Sequence, residues 1–163
     1  MDPQDAGGTD PPGEVLVVDD PVREFLDAQR TLTLAIADDD GPWAADVYYV
    51  RIGRDLCFFS SPKSRHAQST ATDGRAAGTI HAEAQGWRDI RGVQMAGRVE
   101  EIPRGAARGA AVDAYLDKFP FAKPLLVGDL LKKVRFYRFT PKTILWIDNS
   151  EGLGKRVDRS DER

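Results

Sequence analysis

The sequence predicts a mainly β fold: a small antiparallel barrel of about six strands with helical covers. Three observations predict it. Short apolar runs recur between Asp/Gly turns, those runs alternate or are β-branched and aromatic, and only a few stretches carry helical spacing. Closing such a sheet removes exposed strand edges. With 163 residues the chain is long enough to bury a core as one domain without staples.

The elements follow in order. Residues 1–14, MDPQDAGGTDPPGE, are acidic and rich in Gly and Pro, and read as a disordered leader with little to bury. Residues 15–150 form the predicted barrel domain. A leading helix is expected near residues 22–30. TLTLAIA (31–37) alternates Leu32, Leu34 and Ile36 on one face, as a half-buried strand does. DDDG turns the chain into PWAADVYYVRI (42–52), and GRD turns it again into LCFFS (56–60).

SRHAQSTAT (64–72) suits a short helix ending before Gly74. RAAGTIHAE (75–83) and GVQMAGRVEEI (92–102) read as strands, with Trp87 in their connection. Gly97 marks a bulge or a close backbone approach. After Pro103, the spacing of Val112, Tyr115, Leu116 and Phe119 predicts one amphipathic helix over 104–119. Residues 123–133 predict short helical turns. VRFYRF and TILWID form a last strand pair bent around Pro141, and 151–163 read as a flexible polar tail.

Composition excludes several function classes. The formal charge is −3, from 23 basic and 26 acidic residues, so nothing points to nucleic acid or a membrane surface. No apolar run reaches the roughly 18 residues of a membrane span. A single cysteine, Cys57, and the lack of a signal-peptide pattern point to a cytoplasmic protein. The two histidines are fifteen residues apart on different elements, which argues against a protein-only metal site. Walker, dinucleotide and HExxH patterns are missing.

One stretch stands out. FFSSPKSRHAQS (58–69) places Lys63, Arg65 and His66 where a strand becomes a helix. A helix N-terminus offers unpaired N–H groups and a positive dipole end, a ready phosphate site. Ser60, Ser61 and Ser64 add hydroxyls, and Arg65 adds a bidentate fork. A simpler reading is a capped turn with solvated basic residues. Tyr48, Tyr49, Phe58 and Phe59 are expected near one barrel end, where they would either pack a planar ring or fill the core.

Five segments, in order, resemble the pyridoxamine 5′-phosphate oxidase-like flavoproteins with their FMN-binding split barrel. They are TLTLAIADDDGPWAADVYYV, LCFFSSPKSRHAQ, RAAGTI, IRGVQMAGRVEEI and FTPKTILWIDN, covering residues 24–150. The resemblance implies a homodimer binding FMN and a small-molecule substrate. It places Phe59 and Ser60 beside the flavin and gives the phosphate to Arg65 and His66. It sets Gln94 toward the ring, two residues after the family's Gln position at Gly92, and makes Trp146 a ring contact. An Arg and a Lys that flank the family's second strand are Ala45 and Val50 here, with Arg51 one place off. The substrate-handling C-terminal motif is only echoed by KRVDR (155–159), where Val157 replaces a His. The expected activity is therefore oxidoreduction of a molecule other than pyridoxamine phosphate. The alternatives are a non-catalytic flavin binder, a deazaflavin coenzyme, or haem held by His81. Apolar strand faces such as those of Val93 and Met95 are expected to need cover from a second chain.

Overall fold

The computed structural model describes residues 20–126 and 132–160. The acidic leader, residues 1–14, and part of the expected turns at 123–133 lie outside the described residues. Chain order is α1 (Asp20–Ala28), β1 (Thr31–Asp38), β2 (Gly41–Tyr48), β3 (Val50–Ile52), β4 (Asp55–Ser60), α2 (Arg65–Thr72), β5 (Arg75–His81), β6 (Arg91–Glu101), α3 (Ala106–Lys118), β7 (Arg135–Asp148) and β8 (Arg156–Asp158). The strands form one curled antiparallel sheet ordered β2-β1-β5-β6-β7-β4-β3, with β8 added on β7. This is the mainly β split barrel that the sequence predicts.

Three details differ from the expectation. The run 42–52 is broken at Tyr49, whose side chain is fully buried and donates its hydroxyl to the Leu26 carbonyl at 2.5 Å. The Tyr49 amide also donates to the Arg30 carbonyl at 3.2 Å, and at this residue the chain passes from pairing with β1 to pairing with β4. The expected pair around Pro141 is a single strand of 14 residues, β7. Its register against β6 shifts between Ala96 and Gly97, where a Cβ on Gly97 would lie 2.2 Å from the Thr140 carbonyl oxygen. The bulge and the close approach are both present at the predicted residue. Finally, the tail assigned as flexible supplies β8, with Trp146 opposite Val157.

Two cores hold the fold. Leu32, Leu34, Ile80, Val93, Met95, Phe139 and Ile144 point inward from the barrel strands and meet Val22 and Leu26 of α1 and Ala67 of α2. Val93 is 0 % and Met95 4 % exposed, so these residues fill the chain's own core and do not await a partner. On the other side of β4 and β7, Cys57 and Phe136 pack with Ala111, Tyr115 and Phe119 of α3. Burial at Cys57 pushes its thiol pKa up to about 11, which suits a small hydrophobe and not a nucleophile.

Candidate functional site

The corner between β4 and α2 is built by its own sequence. Pro62 sits at the second position of a turn closed by a 3.0 Å bond from the Ser64 amide to the Ser61 carbonyl. Ser64 then caps α2, accepting from the Ala67 amide at 3.4 Å. Its hydroxyl proton goes to the Ser61 carbonyl at 2.8 Å. The Ser64 oxygen is also 3.1 Å from His66 Nε2, which must therefore be the donor of that contact. The same nitrogen lies 2.8 Å from Ser60 Oγ. With Nε2 donating and the Ser64 proton on the Ser61 carbonyl, the Ser60 hydroxyl is the donor of its 3.1 Å contact with Ser64 Oγ. His66 is only 9 % exposed, and burial holds its imidazole below the usual histidine range, hence neutral at pH 7.

Arg65 is placed differently from the expected phosphate clamp. Its fork grips Asp38 and reaches the Gly41 carbonyl at 3.1 Å, while its guanidinium lies 5.0 Å from the Trp43 ring centre. The hydrogen bonds from Arg65 hold the Asp38 carboxyl below the usual carboxylate range. Arg65 thus ties α2 to the β1–β2 turn. Arg51 is likewise engaged, through Nε and Nη2 to Asp27 at 2.8 and 2.6 Å. Exposed Lys63 and Ser61 remain at the corner, the Ser61 hydroxyl accepting from the Lys63 amide at 3.2 Å.

The aromatic group does not converge. Tyr49 and Phe58 are core residues, Tyr48 packs on Phe119 and Phe121, and the Phe59 ring lies 5.0 Å from Tyr115. The Phe59 backbone pairs with Phe136 of β7, and only its other side lacks a strand partner, since pairing of β3 with β4 stops at Cys57. Gln94 is exposed on the outer sheet face, in a register row with Asp46, Thr33, Thr79 and Leu145. Trp146 alternates to the opposite face and stacks edge-on against Phe25 at 5.0 Å. A planar ring on one face of this chain therefore meets Gln94 or Trp146, not both. His81 is exposed on the outer face and borders a cleft of about 210 Å³ with Ile90, Gln94 and Ile147.

Sequence reasoning missed one feature of that face. Ala44, Ala35, Ala77, Ala96 and Thr143 pair across five strands into one row of small side chains. All but Ala44 floor part of an open cleft of about 680 Å³, rimmed by Arg75, Arg98 and Lys142 and reaching Ala37, the neighbour of Asp38. The signal was present as small residues at alternate strand positions, but only pairing lines them up. Among the described residues, no cluster of three or more His, Cys, Asp or Glu is arranged to hold a metal ion.

A model of the pyridoxamine 5′-phosphate oxidase family matches residues 18–148, most of the chain. The chain belongs to that family. A curated relative, a UPF0306 protein of Klebsiella pneumoniae, is 27% identical over 138 residues, 83% of this chain and 88% of the relative. A heme binding protein from Mycobacterium smegmatis superposes with a TM-score of 0.68 at 24% identity, over 84% of this chain. The match takes in 56% of that longer protein, so this chain spans just over half its length. A FAD-binding protein from Mesorhizobium loti gives a TM-score of 0.62 at 23% identity, over 76% of this chain and 89% of its own. At these identities the structural likeness shows the fold.

The structure gives a steric reason why position 92, where the sequence comparison expects a glutamine, is glycine in this member of the pyridoxamine 5′-phosphate oxidase family. A Cβ on Gly92 would lie 2.6 Å from the Ile80 carbonyl oxygen, so β5 approaches too closely for a glutamine at that position. Gln94 is the next residue along β6 on the same face, and it has open space.

Proposed function

We propose that this chain is a homodimeric FMN-binding oxidoreductase acting on a small molecule other than pyridoxamine 5′-phosphate. The carrying observation is the convergence of Ser60, Ser64 and His66 at the N-terminal end of α2, where the first helical amides are available to an anion and the Ser60 hydroxyl can turn from Ser64 toward it. Lys63 supplies the nearby positive charge. Arg65 serves by holding the turn, which replaces its expected role as the chief phosphate ligand.

The spacing suits an elongated cofactor. Thr33, in register with the Gln94 row, is five residues before Asp38, about 17 Å along an extended strand. An anionic end at the α2 corner and a ring against the outer face near Gln94 span such a length. Bound FMN supplies the redox chemistry, and the chain binds, orients and shields it. A second chain laid on the alanine row would exclude water from the ring and bring its own Trp146 face within reach of a shared site. The C-terminal segment speaks against pyridoxamine phosphate as substrate: Lys155 is paired to Glu151 at 2.6 Å, and Val157 stands in β8 where the family motif has its His.

A specific feature favours a second reading, haem, because exposed His81 sits beside the apolar side chains of Ile90 and Ile147. The absorbance spectrum of the purified protein, with chromatography of the released cofactor, tests both. FMN bands in a protein that sediments as a dimer are the expected result. A Soret band without flavin, or a monomer at micromolar concentration, overturns the proposal.

A further inference from the structure

We propose that the N-terminal end of α3 is a second ligand site, centred on Arg108, that takes the phosphate group of a small phosphate monoester. It is independent of the flavin reading, because none of its residues belongs to the α2 corner or the outer cleft.

The helix begins without a cap. Gly105 precedes it with no side chain to accept a hydrogen bond, and its first turn carries no acidic residue. The first inward bond of α3 runs from the Gly109 amide to the Gly105 carbonyl at 3.0 Å. The amides of Ala106, Ala107 and Arg108 are thus left without an acceptor among the described residues.

The second observation is the side chain of Arg108. It is only 9 % exposed, and its guanidinium lies 5.6 Å from the centre of the Phe136 ring. It makes no hydrogen bond or ion pair with any described residue. The stem is covered, but none of its nitrogens is among the buried, unpaired polar atoms of the described residues, so the fork keeps a solvent-facing edge whose donors are free to meet an anion. Arg108 lines a cleft of about 400 Å³ together with Arg104, Gly109, Val112, Asp113 and Lys132. Three cations face one carboxylate there, although Lys132 has a partner of its own.

The chemistry favours phosphate. Three converging amides and a planar fork match an oxyanion with three terminal oxygens better than a carboxylate with two. Val112 gives the cleft an apolar wall for the carbon side of a monoester. A Cβ built on Gly109 meets nothing within 4 Å, so the space beside Arg108 is open.

The test is amide NMR of the full chain titrated with inorganic phosphate at constant ionic strength, then with glycerol 3-phosphate. Saturable shifts at Ala106, Ala107 and Arg108 are expected, with glycerol 3-phosphate the tighter ligand. Arg108→Met keeps the contact with Phe136 and should weaken binding at least about tenfold. Gly109→Leu fills the open space with a better helix former and should weaken it as much while leaving the fold intact. Arg65→Ala should change nothing at this site. Shifts confined to the α2 corner, an adventitious response that survives both Arg108→Met and Gly109→Leu, or glycerol 3-phosphate binding no tighter than phosphate would overturn the proposal.

Discussion

Arg65 and Asp38 meet through two parallel hydrogen bonds, Nε to one carboxylate oxygen at 2.9 Å and Nη2 to the other at 2.6 Å. Under the proposed FMN reading, this pair makes Arg65 a positioning residue for the α2 corner. Asp38→Ala should therefore weaken FMN binding about as much as Arg65→Ala, roughly fivefold, and the double variant should lose no more. Fluorescence quenching titrations measure all three. If Arg65 instead grips the phosphate directly, freeing it with Asp38→Ala will tighten binding. Because the Asp38 carboxyl is held below its ordinary value of 3.8, the pair contributes fully above that pH and is lost as pH falls through the lowered value.

His66 gives a second pH signature. Burial lowers its folded pKa below the ordinary 6.5, so the unfolded chain takes up a proton first as pH falls. Stability is full above pH 6.5 and declines below it, until the folded protein also protonates. Urea midpoints measured from pH 7.5 to 5 should show this decline, and His66→Gln should flatten it.

Lys118 titrates in the other window. Burial pushes it down to about 8, even with its ammonium 2.6 Å from the Gln29 carbonyl oxygen. Between about pH 8 and its ordinary value of 10.5 the unfolded chain holds the proton and the folded chain does not, so stability rises with pH. Compared with Lys118→Met, the parent protein should gain in urea midpoint between pH 7.5 and 9.5. The Cys57 thiol acts in both proteins and cancels in the difference.

At Gly97 the space is already taken by backbone. Gly97→Ala puts a methyl 2.2 Å from the Thr140 oxygen and 2.8 Å from the Pro141 Cα, and neither strand can yield without breaking the β6–β7 ladder. Equilibrium unfolding should show a loss of about 3 kcal/mol or more. A loss under about 1 kcal/mol would mean that the bulge adapts.

Local patterning carried most of the fold into view. Leu32, Leu34 and Ile36 announce β1, and the Asp/Gly turns set the meander, because alternation and turn chemistry are properties of neighbours in sequence. The break at Tyr49 was hidden, since it falls where pairing passes from β1 to β4, a change that only the assembled sheet reveals. Strand β8 was hidden too, because Arg156, Val157 and Asp158 are polar overall and find their edge only once β7 exists. The site divided in the same way. The Ser64 cap and the hydroxyl corner follow from a short stretch, whereas the partner of Arg65 and the opposite facing of Gln94 and Trp146 follow from barrel closure.

The alanine row on the outer sheet face has an entropic consequence. Alanine has no rotamers to lose, whereas long side chains such as lysine or methionine each give up as much as about 2 kcal/mol when covered. Whatever lies across Ala44, Ala35, Ala77 and Ala96 settles on a surface that is already ordered. Such a floor is also unable to remodel itself around a bulky shape. It selects by flatness: a planar ring or a second sheet can come close to the strand backbones, and a rounded surface touches only a few atoms.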